Sequence, residues 1–244
     1  MATDPNAPGD TTYRASKKYA EKAAWEFMEE NKTSWDLATI NNTYTFGPLP
    51  RSLDVKSQGG EGGFKVNTSN ERIADCLTGK WHDKIPPTAP VFTFVDVRDV
   101  AVAHVRAMTR REAGGKRFYV VGGFFSNPKI AAIVHGVEKT RLQPSRVKAA
   151  TAKSQAGGDE KEDKEDKAVM CGACLHHDDF PVGKHWAFDN TRSKEVLGLE
   201  YRGLGESVVD TVKSLRGIGI GPEKEVVQIV HHGYGEGGVD ALQT

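Results

Sequence analysis

Hydrophobic positions along the chain recur first at helical and then at strand spacing, and this alternation predicts an α/β fold. Residues 13–27 are rich in Ala, Lys and Glu, which favours a helix. Tyr13, Ala20, Ala24 and Phe27 fall on one side of it, so that side is expected to be buried and the Tyr13 phenol drawn away from water. The helix should reach residue 30 or 31, with Asp10, Thr11 or Thr12 as its cap. Residues 35–41, with Thr39 and Ile40 β-branched, read as a short buried strand. Residues 47–63, with two prolines and a Gly-Gly-Glu-Gly-Gly cluster, read as a loop. Ser69 or Asn70 can then cap a helix that ends at Leu77. A strand is expected over 91–95, a helix over 99–108 with Ala101, Val102 and Val105 towards the sheet, and a strand over 116–121. Residues 126–129 start another helix, with Pro128 in its first turn, leading into 130–134; two shorter helices follow over 191–197 and 204–215. Helices alternating with strands build a parallel sheet with helices on its faces.

Composition narrows the reading. The 244 residues are 38% hydrophobic, enough for one sizeable core, and carry 33 basic and 33 acidic side chains. Zero formal net charge argues against a nucleic-acid or anionic-membrane partner. No apolar run approaches the ~20 residues of a spanning helix, and residues 1–10 have neither a basic nor an apolar signal region, so a cytoplasmic location is expected. Cys76, Cys171 and Cys174 are the three cysteines, an odd number that suits a reducing compartment. Residues 140–167 have almost no large apolar side chain, and they end in a run of Asp, Glu and Lys over 159–167. Such a segment cannot offset its own ordering entropy and is expected to be a disordered insertion, taken here as 140–180. The expected organisation is a flexible lead-in over 1–12, one domain over 13–216 broken by that insertion, and a Gly-rich tail over 217–244.

Candidate chemistry concentrates at Tyr13 and Lys17. Four residues apart on a helix, they share one face about one turn from each other. An ammonium beside a phenol favours the phenolate, and a tyrosine so placed can exchange protons near neutral pH as donor to a carbonyl oxygen. Cys171-x-x-Cys174 with His176, His177 and His185 nearby is half of a tetrahedral zinc site. Without a second pair it reads as two free thiols in a loop, and no metal is expected. His104, His231 and His232 read as surface or core residues without partners.

The run Tyr13-x-x-x-Lys17-x-x-Ala20-Glu21-x-Ala23-x-Trp25, with residues 37–41 and Phe46-Gly47-Pro48 after it, resembles the extended short-chain dehydrogenase/reductase superfamily of NAD-dependent epimerase/dehydratase type. Within it, the chain is similar to the dihydroflavonol-reductase-like and fungal NADPH-dependent ketone and methylglyoxal reductases. The resemblance resumes over 95–101, 118–123 and 189–198. It implies the C-terminal part of a Rossmann-like fold, parallel strands with flanking helices plus a small substrate lobe. It also implies an NADP(H)-dependent oxidoreductase acting on a small-molecule ketone or aldehyde. Tyr13 would be the general acid and Lys17 would hold the nicotinamide ribose, both contacting the cofactor. Residues 41–48 match the run that lies against the nicotinamide; Thr45 stands where the family has a cofactor-contacting valine, and Ser69 matches a further contact. Asn42 replaces the family's proline, and asparagine leaves the backbone looser. The family's opening strand, Gly-x-x-Gly-x-x-Gly turn and helix, which take the pyrophosphate, have no counterpart upstream of Tyr13, nor has the serine that polarises the carbonyl. Residues 217–222 and 233–238, though Gly-rich, do not sit between a strand and a helix. The expectation is a truncated and impaired reductase. The alternatives are a non-catalytic remnant that binds a partner or small ligand, and a nucleotide-sugar epimerase or dehydratase using the same Tyr-Lys pair.

Overall fold

The computed structural model describes residues 9–50, 66–142, 178–183 and 186–221. The charged run, the Cys171-Cys174 half-site, most of the 47–63 loop and nearly all of the tail lie outside them. The chain order is α1 (Gly9–Asn31), β1 (Ala38–Asn42), β2 (Tyr44–Phe46), α2 (Thr68–Leu77), β3 (Thr93–Asp96), α3 (Val97–Thr109) and a 3-10 turn at Arg111–Ala113. There follow β4 (Lys116–Val120), β5 (Gly123–Phe124), α4 (Asn127–Leu142), α5 (Thr191–Leu197) and α6 (Leu204–Gly217). Helices and parallel strands alternate, as the sequence predicts.

β1 and β2 are almost one strand, and at Thr43 the strand changes partner. β1 runs parallel to β4, with Ile40 opposite Phe118; β2 runs parallel to β3, with Thr45 opposite Val95. β5 adds to the far edge of β3 antiparallel, Thr93 opposite Phe124. Thr43 fastens the junction, its hydroxyl donating to the Thr93 carbonyl at 2.8 Å and lying 2.7 Å from the Thr93 hydroxyl.

Two apolar clusters hold the fold. The larger joins Phe46 and Phe94 of the strands to Ile73 and Leu77 of α2, Ile130 of α4 and Val212 and Leu215 of α6. The smaller joins Val95, Phe118 and Val120 to Ala103 of α3 and Leu197 of α5. α1 gives no residue to either.

Five sequence expectations are corrected. The side of α1 carrying Tyr13, Ala20 and Phe27 is exposed, Tyr13 at 63%. Glu21, Ala24, Trp25 and Met28 are half-buried instead. The stripe Tyr13, Lys17, Glu21 thus leaves cover as it runs towards the N-terminus. The helix also starts at Gly9, so positions 10–12 lie within it rather than before it. In α3, Ala101, Val102 and Val105 face water, while Asp99 and Ala103 are buried. Asp99 takes the inward position because the Arg202 backbone N–H donates to it at 2.9 Å and the Arg202 guanidinium pairs with it, which fixes the phase of the helix. In α2, Ser69 and Asn70 lie inside the helix, not at its cap, because both side chains serve the strand segment beside them. His104, read as partnerless, is exposed with its ring nitrogen 2.8 Å from the Val100 carbonyl.

Candidate active site

Helical spacing brings Tyr13 and Lys17 together. The Lys17 ammonium stands over the Tyr13 ring, 5.8 Å from its centroid, where the electron-rich face attracts a cation. Ser16, between them, donates to the Tyr13 carbonyl at 2.7 Å.

Thr45 and Ser69 form a second pair. The Thr45 backbone N–H donates to Ser69 Oγ at 3.2 Å. Asn42, at the position read as a loosened proline, pins the turn with its side chain, donating to Thr45 Oγ1 at 2.8 Å and to the Thr43 carbonyl at 3.3 Å. The asparagine therefore restrains the backbone through its amide, which corrects the expectation of slackness. Just beyond, Gly47 has φ +129°, and a Cβ there would meet Val97 Cγ1 at 2.7 Å, so only glycine fits. Its N–H donates to Thr211 Oγ1 at 3.0 Å and its carbonyl accepts from Asn70 Nδ2 at 2.9 Å. α2 and α6 thus hold the turn from both sides. No hydrogen bond, ion pair or ring contact joins the Tyr13-Lys17 pair to the Thr45-Ser69 pair.

Residues not singled out in the sequence connect the elements. Glu21 of α1 accepts from Arg117 Nε at 2.7 Å, Thr39 Oγ1 at 2.9 Å and Asn41 Nδ2 at 3.2 Å. Burial would raise its carboxyl, but these bonds, led by Arg117, outweigh burial and hold it at about 2 against an ordinary 4.5. Its spacing of four from Lys17 was the available signal; Arg117 could not be foreseen. Arg72, three residues after Ser69, donates to the Tyr44 hydroxyl and to Asn127 Oδ1, both at 3.0 Å. Behind the site, the buried carboxylate of Asp96 receives Ser207 Oγ at 2.7 Å and is forked by the Arg98 guanidinium at 2.8 Å. Burial pushes this carboxyl up, and Arg98 with Ser207 brings it below its ordinary value. Among the described residues no group of His, Cys, Asp and Glu side chains could hold a metal ion.

No family model matches the chain. It is 40% identical over 208 residues to the ketoreductase azaE of Aspergillus niger, covering 84% of this chain and 50% of that one. It is 32% identical over 215 residues to the NADPH-dependent methylglyoxal reductase GRE2 of Saccharomyces cerevisiae, covering 83% of this chain and 50% of that one. The crystal structure of Gre2 from Candida albicans in complex with NADPH superposes with a TM-score of 0.61 at 30% identity, over 85% of this chain and 52% of that one. The chain spans about half the length of the curated relatives it matches.

Proposed function

The chain belongs, over the part it shares with them, to the extended short-chain dehydrogenase/reductases, and on that premise we propose that it carries the proton-transfer side of an NADPH-dependent carbonyl reductase site. The observation that carries the reading is the Tyr13-Lys17 pair on one face of α1, with the ammonium over the phenol ring. The names of its relatives, a ketoreductase and an NADPH-dependent methylglyoxal reductase, support the substrate class and the cofactor. We read residues 13–216 as the reductase portion, with 140–180 inserted into it, 1–12 leading in and 217–244 trailing, and we place the protein in the cytoplasm. No helix among the described residues is long and apolar enough to cross a membrane.

The residues present fit the cofactor. The contact of the Lys17 ammonium among the described residues is with an aromatic face, which leaves its N–H donors for the hydroxyls of a ribose. Thr45 and Ser69, bonded to each other and held by α2 and α6, form a polar wall against which a flat ring can lie. When bound, NADPH supplies the hydride to the carbonyl carbon. Tyr13 Oη donates its proton to the carbonyl oxygen as charge develops there, and Lys17 steadies the phenolate left behind. Small ketones and aldehydes are the proposed substrates.

A chimaera in which residues 9–221 replace the matching half of the Aspergillus niger ketoreductase tests this. Carbonyl-dependent NADPH oxidation is expected, and Tyr13→Phe should lower kcat by roughly 10²- to 10⁴-fold, the usual contribution of a positioned acid. Activity that survives Tyr13→Phe would sink the proposal.

A further inference from the structure

We propose that Glu21 is the positioning residue of this site, setting where Tyr13 and Lys17 stand relative to the sheet. The proposal rests on the reductase reading only for the catalytic consequence of moving them. Among the described side chains of α1 none is fully buried and none belongs to either apolar cluster, so packing alone leaves its orientation weakly fixed. The Glu21 carboxylate carries side-chain hydrogen bonds from α1 to both strands of the sheet. Thr39 and Asn41, two apart on β1, point their donors to Oε1, and Arg117, opposite Thr39 on β4, brings Nε to Oε1 and Nη2 to Oε2 at 3.2 Å. One carboxylate therefore grips two adjacent strands at one level.

An exposed ion pair is ordinarily worth little, but this one is more than a pair. Glu21 is 19% exposed and holds four hydrogen bonds, and the charged donor is reinforced by two neutral ones on the neighbouring strand. Its leverage comes from length. Tyr13 lies eight residues towards the N-terminus, about 12 Å along the axis at ~1.5 Å per residue. A tilt of about 10° at Glu21 would carry the phenol about 2 Å sideways over that arm. A misplacement of about 1 Å at a reacting group can cost on the order of 100-fold in rate.

The test uses amide hydrogen exchange on the 244-residue chain and steady-state kinetics on the chimaera. Glu21→Ala is expected to speed exchange across α1 about tenfold or more while α6 is unaffected, and to lower kcat by about 10- to 100-fold with the carbonyl KM within about threefold. Glu21→Asp keeps the charge and shortens the reach by one methylene. It should hold α1 protection within about threefold of the parent yet still lower kcat at least about fivefold, a split that simple loss of stability does not produce. Unchanged α1 exchange in Glu21→Ala overturns the proposal. So does a kcat within about twofold of the parent in both variants while Tyr13→Phe loses its activity. If Tyr13→Phe is itself without effect, the reductase reading falls, and the exchange data still decide whether Glu21 orients the helix.

Discussion

The two halves of the candidate site are attached to the molecule by different physics. Tyr13 and Lys17 ride on α1, whose described side chains are half-buried at best and which is bonded to the sheet through the Glu21 carboxylate. Thr45 and Ser69 stand on β2 and α2, whose neighbours Phe46, Ile73 and Leu77 belong to the larger apolar cluster. Attachment by packing is indifferent to ionic strength and to mild acid, whereas attachment by charge responds to both. The Tyr13-Lys17 pair is therefore the adjustable half of the candidate site and the Thr45-Ser69 pair the fixed one.

The comparison breaks most visibly at Phe46. This ring is fully buried, with the rings of Phe125, Phe94 and Tyr44 at 5.0, 6.0 and 6.3 Å. Phe46→Ala is expected to cost ~3–5 kcal/mol of stability in urea unfolding; a loss near ~1 would mean that the wall is rooted elsewhere. Acid should act on the other half. The Glu21 carboxyl is held at about 2 in the fold against an ordinary 4.5, so its contribution is complete above the ordinary value and fades as pH falls towards the folded one. Because its partner Arg117 is 57% exposed, we expect about 1–2 kcal/mol of local protection to be lost across that range, after discounting for solvent screening. Amide exchange should register this in α1 more than in α2, and equal loss in both would erase the distinction. Ser69→Ala removes the acceptor of the Thr45 N–H and should cost ~0.5–1.5 kcal/mol by thermal unfolding. Tyr13→Phe should change stability least, within about 0.5 kcal/mol, because the hydroxyl is solvent-facing and makes no hydrogen bond among the described residues. The contrast with its large expected effect on kcat separates site from scaffold.

The sequence made the periodic parts of the fold legible. α5 is observed over Thr191–Leu197, where the sequence places it, and α2, α6 and β4 depart from expectation by a few residues at their ends. The juxtaposition of Tyr13 and Lys17 follows from local spacing alone. What stayed hidden depends on partners far away in the chain. Arg117 meets Glu21 across 96 residues and Arg202 meets Asp99 across 103. The second of these turns α3 so that a carboxylate, not Val102 or Val105, faces inward. Binary patterning assigns charge to the surface and so fails wherever a buried carboxylate finds its own cation. Asn42 misled for a related reason: its backbone freedom was visible, but the Thr45 hydroxyl that removes it was not.

The change of partner at Thr43 has a kinetic consequence. The strand from Ala38 to Phe46 can finish pairing only when two distant segments arrive, because β2 pairs with β3, Tyr44 opposite Phe94, and β1 with the still more distant β4, Ala38 opposite Lys116. Loop closures of that span are slow relative to helix formation. α1 is built of local contacts and can coil early, yet it has no level surface to settle on until β4 brings Arg117 beside β1. The helix that carries Tyr13 and Lys17 should then be among the first elements to form during refolding and among the last to find its place.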